Sequence, residues 1–327
     1  MRPRSFGSLT ALALAAAIAF AAHPTAQSQA APHTPDAKPD LQGVWTNATL
    51  TPLERPVALG TKAFLTEAEA AQLEQQAAGR READTTPSRP GDVGNYNQFW
   101  MDSGTRVLGT RQTSLVVDPP NGRIPVRPEA EARRDLYLKH NTEHPEYMSI
   151  WDRCITRGTP GGMIPAGYNN AYQIIQAPGY VVIHYEMIHE ARIIPLDGRP
   201  HPPKSVGLWL GDSRGRWEGQ TLVVETTNFT ERGWVATSAY SGRLKGIPQT
   251  RDARVVERFT RVDANTLKYD VTVTDPTVFT QPWTMSYPLS KEDDYRIYEY
   301  ACHEGNHAVP NILRGARLQE RTAAGRE

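Results

Sequence analysis

Residues 172–192, YQIIQAPGYVVIHYEMIHEAR, decide how this chain folds. Two β-rich runs, Tyr172–Gln176 and Tyr180–Met187, flank Ala177-Pro178-Gly179, which is turn chemistry between strands. Strand side chains alternate between faces. Val181, Ile183, Tyr185 and Met187 therefore share one face, and Tyr180, Val182, His184 and Glu186 share the other. The first face is apolar. The second places an imidazole two residues from a carboxylate, with His189, Glu190 and Arg192 directly behind. The functional reading is a polar site at the end of a hairpin. The plainer reading is a solvated outer face.

Downstream the same pattern repeats. Val206–Leu210, Thr221–Thr226, Arg254–Thr260, Thr266–Thr274, Thr280–Tyr287 and Tyr295–Tyr300 read as strands. Asp212-Ser213-Arg214-Gly215, Asp263-Ala264-Asn265 and Asp275-Pro276 read as turns. Upstream, Leu41–Thr46 is a short strand anchored by Trp45, and Ser114–Val117 with Arg123–Val126 reads as a hairpin about Asn121-Gly122. Many short strands separated by turns predict a mainly β fold, an antiparallel meander closing into a barrel or sandwich.

Helices are peripheral in this reading. Thr66-Glu67-Ala68-Glu69 is a capping box opening a surface helix. Pro128–Lys139 is helical, with proline in the first turn. A C-terminal helix starts at Pro310 and turns Ile312, Leu313 and Ala316 towards the barrel. Residues 82–96 are a loop rich in Pro, Gly, Asp and Thr.

The N-terminus carries a basic stretch with Arg2 and Arg4, an apolar run Leu9–Ala22, and small residues near Ala26 and Ala30. That is the pattern of a secretory signal peptide over residues 1–30. Residues 31–40 then read as a disordered leader, and 41–327 as a single β domain with helical and loop insertions. No second apolar run approaches the ~20 residues of a membrane helix, so no integral membrane segment is expected after signal removal. The expected location is the periplasm or the medium. Formal net charge is zero, from 36 basic and 36 acidic residues. Nucleic acid is therefore excluded as the main partner. Cys154 and Cys302 are the only cysteines. In an oxidising compartment they predict one disulfide, joining the entrance of the meander to its exit.

The blocks GLWLGDSRGRWEGQTLVVETTNF, ERFTRVDANTLKYDVTVTDP and YEYACHEGN resemble a family of secreted bacterial proteins with no assigned function. The likeness covers most of residues 41–316 and carries no catalytic residues. A second likeness, resting on Gly43-Val44-Trp45, the meander and a helix after the last strand, is to lipocalin-like barrels. It implies a ligand cavity at the barrel mouth.

Three chemistries compete for the polar residues. A small ligand would be held by Tyr180, Tyr185, Arg192, Arg214, Trp217 and Glu299. Trp209, Trp234 and Trp283 serve equally well as pocket wall or as core. A hydrolase or lyase would use His184, Glu186, His189 and His303, with or without a metal, or a carboxylate pair drawn from Glu186, Glu190, Asp212, Glu218 and Glu299. The third possibility is an envelope interaction protein without a small ligand. No cofactor is implied. His303-Glu304-Gly305-Asn306-His307 spells H-E-x-x-H, but Gly305, Asn306 and Pro310 oppose the helix a zinc protease needs, so a strand-to-helix junction capped by Asn306 is expected. Gly158–Asn170 lacks phosphate-loop spacing. Gly211-Asp212-Ser213-Arg214-Gly215 has the glycines of a serine-nucleophile elbow without the strand-to-helix context.

Overall fold

The computed structural model describes residues 31–83 and 101–325. The expected signal peptide and the 84–96 part of the expected loop lie outside those residues. The strands are β1 Gly43–Thr46, β2 Val116–Asp118, β3 Ala171–Ala177, β4 Tyr180–Tyr185, β5 Ala191–Pro195, β6 Asp212–Glu218, β7 Thr221–Thr227, β8 Arg254–Arg261, β9 Thr266–Thr274 and β10 Trp283–Lys291. The helices are α1 Glu67–Ala83, α2 Pro128–Lys139 and α3 Ala308–Ala323.

Nine strands follow one path, β5-β4-β3-β1-β10-β9-β8-β7-β6, and curl into a nearly closed barrel. The path has eight antiparallel steps, so β5 and β6 end up running in the same direction. They meet at a seam of side chains without a hydrogen-bonded ladder. Gly215 makes that approach possible. A Cβ there would stand 2.6 Å from Leu196 Cδ2 and 2.8 Å from Ile194 Cγ2. β2 extends the edge that β10 presents beyond β1, pairing Thr284 with Asp118 and Met285 with Val116.

The inner faces follow the period of two. Val181, Ile183 and Tyr185 point inward on β4, and β8, β9 and β10 alternate in the same way along their whole lengths. The interior is packed rather than hollow. Trp45, Phe259, Tyr269, Trp283, Met285 and Tyr287 are all almost wholly buried. Phe259, Tyr269 and Tyr287 form a chain of rings with centroids 4.9 and 5.3 Å apart, the offset and edge-on spacings aromatic pairs prefer.

Several sequence expectations need correction. Asp212–Gly215 is the first half of β6, not a turn. Its Asp and Arg residues occupy the outward phase while Ser213 and Gly215 take the inward one. Val206–Leu210 is not a strand. Asn228, in the left-handed region at φ 60°, donates to the carbonyls of Pro202, Pro203 and Val206, and only Leu208 bridges to Phe229. Arg123–Val126 is not a strand either, because the Arg55 amide donates to Gly122 and the Ile124 amide to Glu54 Oε1. Tyr295–Tyr300 forms an irregular strap across one end of the barrel. Residues 31–40 fold back over the other end, with Arg261 Nη1 donating to Asp40 and Gln176 Nε2 to Pro39. They are not a disordered leader.

The capping box is present. The Glu69 amide donates to Thr66 Oγ1 at 3.2 Å, and the Thr66 amide to Glu69 Oε2 at 2.8 Å. α3 does not pack on the barrel. Leu313 and Ala316 are only half-buried, and Ile312 lies beside Leu138, Tyr147 and Trp234 next to α2. Arg317 donates to the Glu143 carbonyl there. No helix among the described residues is long and apolar enough to cross a membrane.

Candidate functional site

The barrel has two ends, and each gathers polar residues differently. The hairpin end holds the β3–β4 turn. The strap end holds the β4–β5 connection and the segment 295–307.

Between them lies a charged core. Arg192 on β5 and Glu257 on β8 share the inward phase with their apolar neighbours and reach across the interior. Their side chains are 3% and 0% exposed. Arg192 Nη2 donates to Glu257 Oε1 at 3.0 Å, and Tyr269 Oη donates to the same oxygen at 2.8 Å. Nη1 stands 2.9 Å from Oε2 but is poorly aligned, so that contact is an ion pair without a hydrogen bond. Burial acts to lower the Arg192 pKa, but the charge and hydrogen bond of Glu257 outweigh it and hold the guanidinium protonated. Burial pushes the Tyr185 and Tyr269 phenols up. A buried pair of this kind orders a core more than it stabilises one.

At the strap end, strand alternation stops at Tyr185. Glu186 turns into a helical conformation, φ −63° and ψ −44°, and goes under the strap. There it is 1% exposed, and its Oε1 accepts from Tyr295 Oη at 2.7 Å and from the Tyr298 amide at 3.4 Å. Oε2 is buried without a partner. Ile188 and His189 follow at φ 64° and 41°. For a β-branched residue that is a strained conformation, of the sort that clusters at functional positions. His189 Nδ1 lies 2.6 Å from the Tyr300 carbonyl oxygen. The strap is fastened by the Cys154–Cys302 disulfide, Cα–Cα 5.6 Å, and by Asn306 Nδ2 donating to the Asp152 carbonyl.

The four enzymatic candidates do not converge. His184 stays half-exposed on the outer face of β4, level with Gln173 and Ala191. His303 and Glu299 are exposed on the strap. Among the described residues no three His, Cys, Asp or Glu side chains are grouped to hold a metal. The H-E-x-x-H sequence is a turn with Gly305 at φ 65°, and α3 begins only at Ala308, whose amide donates to Asn306 Oδ1.

Glu190, one of the expected carboxylate candidates, and Arg157, which sequence reasoning passed over, also lie at this end. Glu190 Oε2 accepts from Thr156 Oγ1 at 2.7 Å, and burial raises the Glu190 pKa. Arg157 is buried close by. On the outer face of β6, Asp212 is gripped between His201 Nδ1, 2.6 Å, and Arg214 Nη2, 3.0 Å. That face is otherwise a lattice of ion pairs, among them Arg216–Glu218, Arg258–Glu218 and Arg254–Glu225. Glu257 was legible in principle, because it sits on the inward phase of VVERFTR. Arg157 and His201 lie in irregular segments where no periodicity marks them.

At the hairpin end, Tyr180 and Trp217 line the same cavity. With Gln176, Ala177, Val181 and Leu196 they line a mainly apolar cavity of about 440 Å³ at the barrel mouth. Thr34, Asp36, Lys38 and Gln42 form its polar margin. At the same end of the barrel, Arg261 stacks 4.6 Å over the Trp45 ring, and Trp45 Nε1 donates to the Leu41 carbonyl at 2.9 Å. Of the other expected ligand residues, Tyr185 and Arg192 belong to the packed interior and Arg214 to the outer face. No family model, no curated protein and no solved structure matches the chain.

Proposed function

We propose that this is a secreted or periplasmic β-barrel protein that binds a small, mainly apolar ligand at the hairpin-end mouth. The observation that carries the reading is the cavity of about 440 Å³ that Tyr180 and Trp217 both line. Its size is in the range of small-molecule sites, and its lining has their character, apolar walls with a few polar groups. The ligand enters at the mouth because the interior between the strands is filled by aromatic side chains. Gln42 supplies hydrogen bonds, Gln176 being engaged by the Leu41 amide and the Pro39 carbonyl, and Lys38 and Asp36 flank the opening. The likeness to secreted bacterial proteins, the N-terminal signal pattern and the disulfide support an exported location.

The test is native mass spectrometry of protein recovered from its own compartment. A discrete non-covalent mass on the mature chain is expected. It should be absent from Ala177→Trp, which fills the cavity from the exposed tip of the hairpin, and depleted in Trp217→Ala. A wild-type chain carrying nothing, or a mass that survives both substitutions, refutes the reading.

A further inference from the structure

Four arginines are buried among the described residues, and three of them have an acceptor for the guanidinium, although Arg55 Nη1 and Arg192 Nε and Nη1 stay unpartnered. Arg55 donates to Thr113 Oγ1 at 2.9 Å, Arg192 pairs with Glu257, and Arg261 donates to the carbonyls of Asp40, Asp263 and Ala264. Arg157 is the exception. It is 4% exposed, its Nε has no hydrogen-bond partner, and no carboxylate pairs with its guanidinium. Glu190, the acid nearest in charge, is already engaged by Thr156 Oγ1 and by the backbone amide of Arg157. The guanidinium lies 5.4 Å over the Trp151 ring, with Tyr168 and Tyr300 in electrostatic range. Burial pulls its pKa down. A cation withdrawn from water with no acceptor is unfavourable unless something absent from the chain completes it.

We propose that Arg157 anchors a second binding site, at the strap end, for the carboxylate of a small aromatic acid. The guanidinium fork matches a carboxylate in two parallel hydrogen bonds, and the flanking rings suit a planar, apolar remainder. Glu190 adds negative charge to the same neighbourhood, which favours a monoanion over a doubly charged phosphate. Trp151, Tyr168, Tyr300 and Gly162 are half-exposed and form the rim. The Cys154–Cys302 disulfide joins the two walls, since Arg157 follows Cys154 by three residues and Tyr300 precedes Cys302 by two. This site is independent of the mouth cavity.

The experiment is calorimetric titration of the mature protein with benzoate, with acetate and inorganic phosphate in parallel, accompanied by thermal melts. Benzoate is expected to bind saturably at one per chain and to raise the melting temperature. Arg157→Met should abolish that binding while the unliganded variant melts no lower than wild type, because the lost cation had no partner. Trp217→Ala should bind benzoate as wild type does, which separates this site from the mouth. Arg157→Lys gives an independent check. It keeps the charge but not the fork, and should bind benzoate more than about tenfold more weakly. Phosphate binding in preference to benzoate, no binding of either, unchanged benzoate affinity in the variants, or a lower melting temperature for unliganded Arg157→Met overturns the proposal.

Discussion

Replacing Glu257 by alanine strands the Arg192 guanidinium inside the barrel. The side chains are 3% and 0% exposed, so water cannot take the place of the lost carboxylate. Removing one member of such a pair costs about 3–5 kcal/mol. Tyr269 Oη also loses its acceptor, a further 1 kcal/mol or so. Typical domains have ~5–15 kcal/mol of net stability, so the single substitution consumes a large part of it. Arg192→Met should cost a similar amount by stranding Glu257. The double variant Arg192→Met/Glu257→Leu removes both charges and keeps the volume apolar, so it should fall within about 1–2 kcal/mol of wild type. Glu257→Ala at about 4–6 kcal/mol and Arg192→Met at about 3–5 then sum to roughly 7–11 kcal/mol, and the excess over the double reports the coupling. Urea unfolding followed by near-ultraviolet circular dichroism measures all four proteins. Were Glu257→Ala to cost less than about 1 kcal/mol, or the double variant to cost as much as the two singles together, the interior would not have the low-dielectric character argued here.

Reduction of the Cys154–Cys302 bond, which spans 148 residues, should lower the melting temperature. The chain-entropy limit is about 5 kcal/mol, and titration of the denatured, unreduced protein should find no free thiol. The Glu190 carboxyl is raised by burial, so its contribution to stability is fully present below the ordinary carboxyl value of 4.5 and is lost as pH rises through the raised value. Glu190→Gln should therefore flatten the stability–pH curve above 4.5, and curves of unchanged shape would contradict the burial argument. Gly215→Val places side-chain atoms where Ile194 and Leu196 already stand, and should destabilise by about 1–3 kcal/mol or more in thermal melts. Thr66→Ala removes one half of the capping box and should cost about 1 kcal/mol by the same measurement.

How much of this was legible in the sequence depended on periodicity. β4, β8 and β9 alternate cleanly, and the sequence reading found them within a residue or two, as it found α2 and the capped start of α1. β6 was missed because its outward residues, Asp212, Arg214, Arg216 and Glu218, are charged, and a glycine sits on the inward phase. Locally that looks like a turn. Only the apposition of β5 explains why glycine is needed there. The strap was misread as a strand for the opposite reason. YRIYEY has strand-like residues, but its tyrosines attend to the Glu186 carboxylate rather than to a neighbouring strand. Tyr180 was placed by the alternation of β4, whereas Trp217 lies on β6, whose strand character the charged outward residues hid. Arg157 was not recoverable, because its importance lies in a missing acceptor, and an absence of that kind leaves no mark on composition or spacing.

The seam between β5 and β6 gives the barrel an unusual liability. An odd number of strands in one meander leaves the two terminal strands parallel, and here the gap is closed by Ile194, Leu196 and the bare backbone of Gly215. The two edges that other proteins blunt with charge or proline are hidden only by facing each other. Anything that pries them apart releases two unpaired edges at once, and each is a template for a strand from a second molecule. Self-association should therefore begin here, its onset should steepen with protein concentration, and amides along β5 and β6 should exchange with solvent before those of β8, β9 and β10.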